Sequence, residues 1–440
     1  MEPQPGAVST EQVAVVGRRV PSIQPRVALQ AFDRPRFAWS TADMTVVGGG
    51  AAVALAADGP DRFSTIRRRA EHTFAALSAS NDLPQAARPR LFGGFAFHDD
   101  HHGEGPWSGF PASLFVLPAL QLVETESDTW LTAACQGPAA RENAVDRLDT
   151  WASRLSATPA LQARGPPGVQ ARRTVPDRDG WRDQVTRALD RIDRGELRKV
   201  VLAQALEVDL ARSPTIPDVL ERLGRTYPDC TRFLIDPEQG GTFFGATPEQ
   251  LVERSGRSVR TTVLAGSTGR GDTSQEDAWL AADLQDSPKD NHEHEVVLDA
   301  IRDQLAPLAT AIETGNRGIR QLATVQHLQT DVRAELDGDH HVLDLVEALH
   351  PTPAVGGMPQ DVALDTIGTS EAFDRGWYAA PVGWIDAAGD GRFAVAIRSA
   401  VARHRSATLF AGAGIVADSE PDREWSEVQL KYRPVLDELE

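Results

Sequence analysis

Three lysines are the first residues in this sequence that suggest chemistry. Lys199, Lys289 and Lys431 are its only lysines, against 42 arginines. A guanidinium stays protonated in proteins because its pKa exceeds about 12. An amine in a desolvated or cation-rich pocket can lose its proton near neutral pH and act as a general base. The sequence therefore indicates that some of these positions require an amine.

One glutamate of a predicted helix lies among apolar residues. The segment SPKDNHEHEVVLDAIRDQLAPL (287–308) predicts this helix. Glu293 shares a face with Val296 and Val297, whereas Glu295 falls on the polar face. A carboxylate on a buried face must be paired, protonated or bound to a metal. Zinc is disfavoured because HEHE does not match H-E-x-x-H, and histidines two residues apart on a helix cannot face one ion.

The last predicted helix carries a second charged face. In SEPDREWSEVQLKYRPVLDEL, which starts with Ser419 as the expected N-cap, Glu424, Glu427 and Lys431 are spaced three and four residues apart on one face. A solvated ion pair that stabilises the helix by about 0.3–0.5 kcal/mol explains this spacing without any function. Taken alone, the spacing favours that simpler explanation.

An arginine lies among alanines in FAVAIRSAVARHRSATLFAGAGIV (393–416), which predicts a β-hairpin. Strand alternation places Phe393 on one face, and Ala396 and Arg398 on the other. Small neighbours leave open space before a guanidinium, which suits the binding of a carboxylate. The glycines of AGAGIV and of LAGS (264–267) expose backbone N–H groups, although each glycine pair alone is weak evidence.

The elements that must position these residues predict an α+β fold. WRDQVTRALDRIDRGEL (181–197) predicts an amphipathic helix, which leads into the strand KVVLAQALEV. RFLIDPEQGGTFFGATPE predicts a hairpin, and SVRTTVLAG predicts a further strand. Strands joined by turns favour large antiparallel sheets over a doubly wound parallel sheet. A Pro-, Gly- and Arg-rich linker at 156–180 divides an N-terminal part, 1–165, from a C-terminal region, 175–440.

Composition argues against several classes of function. A net charge of −18 and a pI of about 5.1 argue against nucleic acid or an anionic membrane as partner. Cys135 and Cys230 cannot form a disulfide framework or a zinc site. The acidic second residue and the lack of a long apolar run argue against a signal peptide and a membrane span, so we expect a cytoplasmic protein. A salt-rich cytoplasm and a GC-rich genome both remain open as explanations of the acidic, lysine-poor composition.

One N-terminal segment carries a group of histidines. LFGGFAFHDDHHGEGPW (91–107) predicts a strand that enters a loop with His98, His101 and His102. These residues could suggest a metal site, but a solvated acidic loop is the favoured interpretation.

Ten segments, taken in order, resemble the chorismate-utilising enzymes and most closely the isochorismate synthases. They span about 195–436 and are GELRKVVLA, FGATPEQLV, LAGS, PKDNHEHEVV, VQHLQT, LHPTPAVGG, FDRGWYAAPVGW, FAVAIRSA, LFAGAGIV and EWSEVQLKYRPVL. The resemblance implies an α+β fold of two large antiparallel sheets flanked by helices, like that of anthranilate synthase component I, with the active site between the sheets. It also implies chorismate as a small-molecule substrate and a monomeric enzyme.

The resemblance further implies a role for each matched residue. Lys199 matches the general base that activates water for attack at C2 of chorismate, and Glu249 matches the general acid that protonates the departing C4 hydroxyl. Glu293 and Glu427 match the carboxylates that hold Mg²⁺, the implied cofactor. The substrate contacts implied by the match are Gly266, Ser267, Ala354, Arg398, Gly412 and Lys431.

Some residues fit this pattern less closely. A general acid at Glu249 requires a raised pKa, and the residue could also simply begin a helix after Pro248. Gln204 stands where the family usually has a basic residue, and AVGG replaces a more common leucine–serine pair after HPTPA. Lys289 lies in a matched segment but receives no role.

Related activities remain open at this stage. Salicylate synthases continue from isochorismate by losing pyruvate, and aminating relatives make anthranilate or aminodeoxychorismate from ammonia. Neither AACQGP nor PDCTR resembles the nucleophile of a glutaminase, so an aminating enzyme would need a separate glutaminase chain. LHPTPA favours the water-using branch, and a menaquinone pathway is expected over a siderophore pathway. A non-catalytic protein of this fold is disfavoured because the implied base, acid and metal ligands occur together.

Overall fold

The computed structural model describes residues 12–80, 82–159 and 162–440. Within these ranges the chain forms ten α-helices. They are α1 (Pro25–Ala31), α2 (Arg62–Ala75), α3 (Ala140–Ala157), α4 (Arg178–Asp193), α5 (Ile216–Thr226), α6 (Ser274–Asp286), α7 (Pro288–Leu305), α8 (Val342–Leu349), α9 (Gln360–Ser370) and α10 (Pro421–Leu436). None of these helices has the length and apolar character needed to cross a membrane.

The described ranges also form 21 β-strands. They are β1 (Val13–Val20), β2 (Arg36–Ser40), β3 (Met44–Ala56), β4 (Leu77–Ala79), β5 (Arg90–Phe95), β6 (Ser113–Thr125), β7 (Thr129–Gln136), β8 (Val169–Val175), β9 (Lys199–Leu210), β10 (Thr231–Asp236), β11 (Thr242–Thr247), β12 (Gln250–Ser255), β13 (Ser258–Gly269), β14 (Ala309–Thr314), β15 (Gly318–Gln321), β16 (Val325–Leu336), β17 (Gly357–Met358), β18 (Pro381–Asp386), β19 (Gly391–Val395), β20 (Ser399–Arg403) and β21 (Ser406–Ile415).

The strands pair in one continuous ladder, which is antiparallel except where β1 meets β4. The ladder runs from β16 through β13, β12, β19, β18, β5, β6, β3, β2, β10, β11, β20 and β21 to β9. Its two ends, β13–β16 and β9–β21, line the same cavity, so the ladder turns back on itself. Large antiparallel sheet structure with flanking helices confirms the predicted α+β class, and the strands expected in two sheets are joined in a single ladder of 21 strands.

Strands from the N-terminal part are built into the C-terminal region. β2 pairs with β10, and β5 pairs with β18. The predicted linker at 156–180 is partly wrong, because it contains β8, which pairs with β9. Most residues of β8 are exposed, so its polar sequence resembled a linker. Residues 160 and 161 of that segment lie outside the described residues, as does most of the amino-terminal stretch used to argue against a signal peptide.

The ends of two functional helices have local causes. Ser287 caps α7 because its side-chain oxygen accepts a hydrogen bond from the backbone N–H of Asp290. The prediction that Ser419 caps the last helix is wrong. Its hydroxyl instead accepts from the N–H of Val416, and α10 begins two residues later at Pro421. Proline is favoured in a first turn because its missing N–H would have no helical partner.

Aromatic packing fixes the loop that carries the histidines. The Trp107 ring lies 5.0 Å from Phe243 and 5.2 Å from Phe410, so this loop is anchored on β11 and β21. His101 differs from the expected solvated residue, because its ring is buried and its Nδ1 lies 2.6 Å from Asp374. In the described part of the chain, no three potential metal-ligating side chains come together here or elsewhere.

Candidate active site

One cavity is lined by every residue to which a role was assigned. The residues are Lys199, Glu249, Gly266, Ser267, Glu293, Ala354, Arg398, Gly412, Glu427 and Lys431. β9 and β21 form one wall, β13 and β16 form the other, and α7 and α10 contribute many of the charged side chains. Lys289 also lines this cavity, so all three lysines of the chain meet in one place.

Lys199 is buried and paired with a carboxylate. It begins β9, is 3% exposed, and its Nζ donates a 2.6 Å hydrogen bond to Oε1 of Glu293. The neighbouring strand makes room for this pair at Gly414, where a Cβ atom would lie 2.9 Å from Cε of Lys199. A lysine at the start of a buried strand therefore meets a glutamate from the buried face of α7.

Glu249 lies in the turn between β11 and β12, so the alternative that it begins a helix is wrong. The turn is fixed because the Glu249 carbonyl accepts a 3.0 Å hydrogen bond from the N–H of Val395. Burial raises the pKa of Glu249 to about 7, and the positive charges of Lys199, Arg398 and Lys431 only partly oppose this effect. A carboxyl group with this pKa can hold a proton near neutral pH and release it to a substrate.

The charged face of α10 points into the cavity. Lys431 Nζ donates to Oε1 of Glu427 at 2.6 Å and to the Gly412 carbonyl at 2.8 Å. Burial alone would raise the pKa of Glu427, but the Lys431 ammonium outweighs burial and lowers it. Glu424 is 3% exposed, and burial together with the negative charge of Glu427 raises its pKa. The helix therefore presents two acidic groups and an ammonium, not a solvated ion pair.

Arg398 does not lie on a strand, so the predicted hairpin face is wrong. β19 ends at Val395 and β20 begins at Ser399, and between them Arg398 adopts a φ of 51°. Such a conformation is strained for a residue with a side chain. The turn is held in place because the Arg398 carbonyl accepts a 3.2 Å hydrogen bond from Ala246 N–H. The break turns the guanidinium into the cavity.

The Arg398 guanidinium has no anionic partner among residues 12–80, 82–159 and 162–440. The residue is 7% exposed, and burial lowers its pKa. A buried guanidinium without a carboxylate is costly, because its charge has lost water and gained no counter-ion. The side chain is therefore suited to a carboxylate on a ligand, which it can bind with two parallel hydrogen bonds.

A bulge in β13 shapes the opposite wall. The pairing with β16 shifts between Leu264 and Ser267, and Gly266 adopts a φ of 78° that favours glycine. The hydroxyl of Ser267 lies 2.7 Å from Nδ1 of His327. Burial lowers the pKa of His327 to about 3, so the imidazole is neutral at pH 7. Its Nε2 is buried and has no hydrogen-bond partner among the described residues.

Sequence reasoning assigned no role to several other lining residues. They are Asp290, His327, Tyr378, Gly414 and Glu424. The Tyr378 ring stacks on Phe410 at 5.4 Å, and burial raises its hydroxyl pKa to about 12, so the hydroxyl remains a donor. All five lie in segments that carried the family resemblance. Their positions in those segments were the available signal.

The acidic residues of the cavity fit Mg²⁺ better than zinc. Asp290 and Glu293 on α7, with Glu424 and Glu427 on α10, line the cavity with hard oxygen donors, although no three side chains of the described residues are grouped closely enough to hold an ion by themselves. Two of the four carboxylates are held by lysine, and burial, with a contribution from the negative charge of Glu427, raises the pKa of Glu424. His294 is used structurally, because its ring nitrogens lie 3.2 Å from the Ala265 carbonyl and 2.8 Å from the Thr330 hydroxyl.

The chain is similar to known proteins over nearly its whole length. Residues 6–440 match the family described as chorismate binding enzyme. The chain belongs to this family. Among curated members, it is 37% identical to the salicylate biosynthesis isochorismate synthase of Pseudomonas aeruginosa, over 95% of this chain and 88% of that protein. It is 32% identical to the isochorismate synthase MenF of Bacillus subtilis, over 96% of this chain and 92% of that protein.

Solved structures of chorismate binding enzymes share the fold. MenF, the menaquinone-specific isochorismate synthase from Escherichia coli, superimposes with a TM-score of 0.83 at 23% identity, over 98% of this chain and 95% of that one. Anthranilate synthase component I from Streptococcus pneumoniae superimposes with a TM-score of 0.75 at 20% identity, over 89% of this chain and 92% of that one. The predicted family and fold are therefore confirmed.

Proposed function

We propose that this chain is an isochorismate synthase, which converts chorismate into isochorismate by adding water at C2 and removing the C4 hydroxyl. The observation that carries the proposal is a buried amine and a protonatable glutamate in one cavity, together with a buried, unpaired arginine. The isochorismate synthase names of the Pseudomonas and Bacillus relatives support it.

Lys199 is the proposed base. In its neutral form, Nζ takes a proton from water as the water oxygen bonds to C2 of the ring. The ring double bonds shift, and the bond between C4 and its oxygen breaks. One water molecule enters and one leaves, so the product is an isomer of the substrate. An arginine at this position could not act in this way, because it does not lose its proton.

Glu249 is the proposed acid. The departing C4 hydroxyl is a poor leaving group unless it receives a proton as its bond to carbon breaks. Glu249, with a pKa of about 7, is partly protonated at neutral pH and needs no strong driving force to give up that proton. After one turnover the lysine has gained a proton and the glutamate has lost one, so proton exchange with solvent must reset both groups.

A positively charged region and a proposed metal site suit the two carboxylates of chorismate. Arg398 and Lys431 are placed to bind one carboxylate, and the backbone N–H groups at Gly266 and Ser267 supply neutral donors on the opposite wall. Glu293 and Glu427 are the proposed ligands of Mg²⁺. When bound, Mg²⁺ supplies positive charge that neutralises the second carboxylate and withdraws electron density from the ring.

The proposed metal site also affects the state of the base. Glu293 cannot hold the Lys199 ammonium and a divalent cation equally well with the same oxygen. We therefore propose that Glu293 would release Lys199 when it holds Mg²⁺, so that the amine would be free to face the substrate. This coupling would restrict base catalysis to the enzyme that is ready to bind substrate.

We propose that a cytoplasmic monomer is active, with every assigned residue of the site supplied by one chain. We further propose that the product enters menaquinone synthesis, as the MenF relatives suggest. The name of the Pseudomonas relative marks salicylate formation by a later enzyme as the competing route.

Product analysis by NMR tests the function. Purified protein is incubated with chorismate and Mg²⁺, with and without ammonium and a chelator. Isochorismate as the sole product, lost on chelation, supports the proposal. Salicylate with pyruvate, or an aromatic amine that forms only with ammonium, would contradict it and identify a different activity of the family.

A further inference from the structure

The cations that line the cavity differ in solvent exposure, which decreases from the surface to the interior. Arg423 on α10 is exposed, and Lys289 on α7 is partly exposed. The Lys431 side chain is 14% exposed, and Arg398 and Lys199 are 7% and 3% exposed. Arg423 and Lys289 therefore lie at the mouth of the cavity, on the two helices that border it, and the other cations lie deeper.

The two mouth cations differ from Lys199 and Lys431 in their pairing. No ion pair or side-chain hydrogen bond joins Lys289 or Arg423 to another residue in the described part of the chain. Most exposed arginines around the molecule do have such pairs. For example, Arg178 and Arg182 both form an ion pair with Asp422, which lies beside Arg423 on α10. Their charges are therefore less neutralised than those of a typical surface cation here.

The carboxylates beside the mouth are engaged elsewhere. Asp290 accepts a 2.5 Å hydrogen bond from the hydroxyl of its helix cap, Ser287. Glu424 is buried, so its carboxylate is shielded from the solvent at the mouth. Lys289 and Arg423 are thus the most exposed cations that line the cavity, and Lys289 also acts on the carboxylates of α10.

These cations matter because of the charge of the whole protein. The net charge of −18 repels an anion that approaches from a distance. Chorismate carries two carboxylates and is a dianion at neutral pH. A local positive entrance on an acidic protein can focus such a ligand into the cavity and raise its rate of association.

We infer that Lys289 and Arg423 form an electrostatic entrance that captures the dianionic substrate and passes it to Arg398 and Lys431. The inference rests on the proposed function and gives Lys289 a role. Both residues act before chemistry and through charge, not through a fixed contact geometry. Loss of either charge should therefore lower kcat/KM, and the loss should become smaller as salt screens the field. Replacing one cation by another should leave kcat/KM unchanged.

The test compares Lys289→Gln and Arg423→Gln with the charge-retaining variants Lys289→Arg and Arg423→Lys. Steady-state kinetics are measured with chorismate at saturating Mg²⁺, from about 0.02 to 0.5 M ionic strength. We expect each Gln variant to lose about threefold in kcat/KM at low salt, and the double variant about tenfold, with kcat within about twofold of wild type. The differences disappear at high salt, and the charge-retaining variants behave like wild type.

Arg141→Gln is the matched control. Arg141 is exposed on α3, outside the cavity, and its substitution by Gln removes the same charge. An equal effect of this variant would overturn the inference, as would a loss in Lys289→Gln that persists at high salt. A loss in Lys289→Arg as large as that in Lys289→Gln would also overturn it. Absence of isochorismate with wild-type protein overturns both this inference and the proposed function, whereas normal turnover with an unchanged salt dependence in the Gln variants overturns the inference alone.

Discussion

Lys199 donates a 2.6 Å hydrogen bond to Glu293, so the proposed base and a proposed metal ligand form an ion pair. The two residues are 94 positions apart, one at the start of the buried strand β9 and the other on the flanking helix α7. The pair explains why the base does not remain a buried, unpaired charge before substrate and metal arrive. It also links the proposed chemistry of the base to the occupancy of the metal site.

Lys199→Arg is expected to abolish isochorismate formation and leave folding intact. A guanidinium can still pair with Glu293, so the ion pair survives, but it cannot accept a proton from water. Turnover should fall by at least about 10³-fold, a typical upper part of the range for general-base catalysis. Turnover near the wild-type rate, with an unchanged thermal midpoint, would rule out the general-base role.

Lys199→Gln should bind Mg²⁺ more tightly than the wild-type protein, although it is inactive. Glu293 would no longer exchange an ammonium for the metal, and an affinity increase of about tenfold corresponds to the loss of one partly buried ion pair. Isothermal titration with Mg²⁺ measures the affinity. Glu427→Gln in the same titration should bind more weakly, and equal affinities for all three proteins would place the metal elsewhere.

Glu249→Gln should remove activity and stabilise the metal-free protein at alkaline pH. The folded pKa of Glu249, about 7, lies above its unfolded value. The stability that comes from keeping this group protonated is complete below the unfolded pKa and is lost as pH rises through about 7. The variant should therefore gain about 1–3 kcal/mol at about pH 8.5 and almost nothing at about pH 4.5, as measured by denaturant unfolding. A gain that is independent of pH would show that Glu249 is ionised throughout.

The pH dependence of kcat for the wild-type enzyme should also report the titration of Glu249. If Glu249 must be protonated, the rate falls as pH rises above its pKa in the enzyme–substrate complex. The fall should begin near pH 7 if the charge of the bound substrate does not shift the pKa of Glu249, because that pKa is about 7 in the free enzyme. A rate that continues to rise to about pH 9 would exclude an acid with this pKa.

Gly414→Ala should disturb the base without a large loss of stability. The added methyl group would lie 2.9 Å from Cε of Lys199 and 3.4 Å from Oε1 of Glu293, so the ion pair must move. We expect turnover to fall at least about tenfold, because a small displacement of a catalytic group is costly. Gly368→Ala on α9 is the matched control, since a Cβ atom there meets nothing within 4 Å. Equal turnover of the Gly414→Ala and Gly368→Ala variants would contradict the requirement that Lys199 be held in one position.

Much of the site could be predicted from the sequence because its parts lie in short, chemically distinctive segments. Helix periodicity placed Glu293 on the inner face of α7, and the scarcity of lysine singled out Lys199. The residues then meet in one cavity, although their roles remain proposals. The α+β class followed from the strand patterns, since strand alternation depends only on local sequence.

The features that sequence reasoning missed depend on long-range packing. Arg398 interrupts its strand because the Ala246 N–H donates to the Arg398 carbonyl and the Ala396 N–H donates to the Ala380 carbonyl, and no local pattern encodes those partners. The Trp107 contacts that bury the histidine loop involve β11 and β21, which are more than 130 residues away. β8 looked like a linker because it is a mostly exposed strand beside β9.

Oxygen labelling tests the central claim most directly. Wild-type protein, chorismate and Mg²⁺ are incubated in H₂¹⁸O, and the isochorismate formed is examined by mass spectrometry and ¹³C NMR. The account predicts one ¹⁸O atom per product molecule, located on C2, and no product with Lys199→Arg. Isochorismate without the label would mean that the C4 hydroxyl migrates within the substrate. In that case Lys199 does not activate water, and the proposed mechanism is wrong.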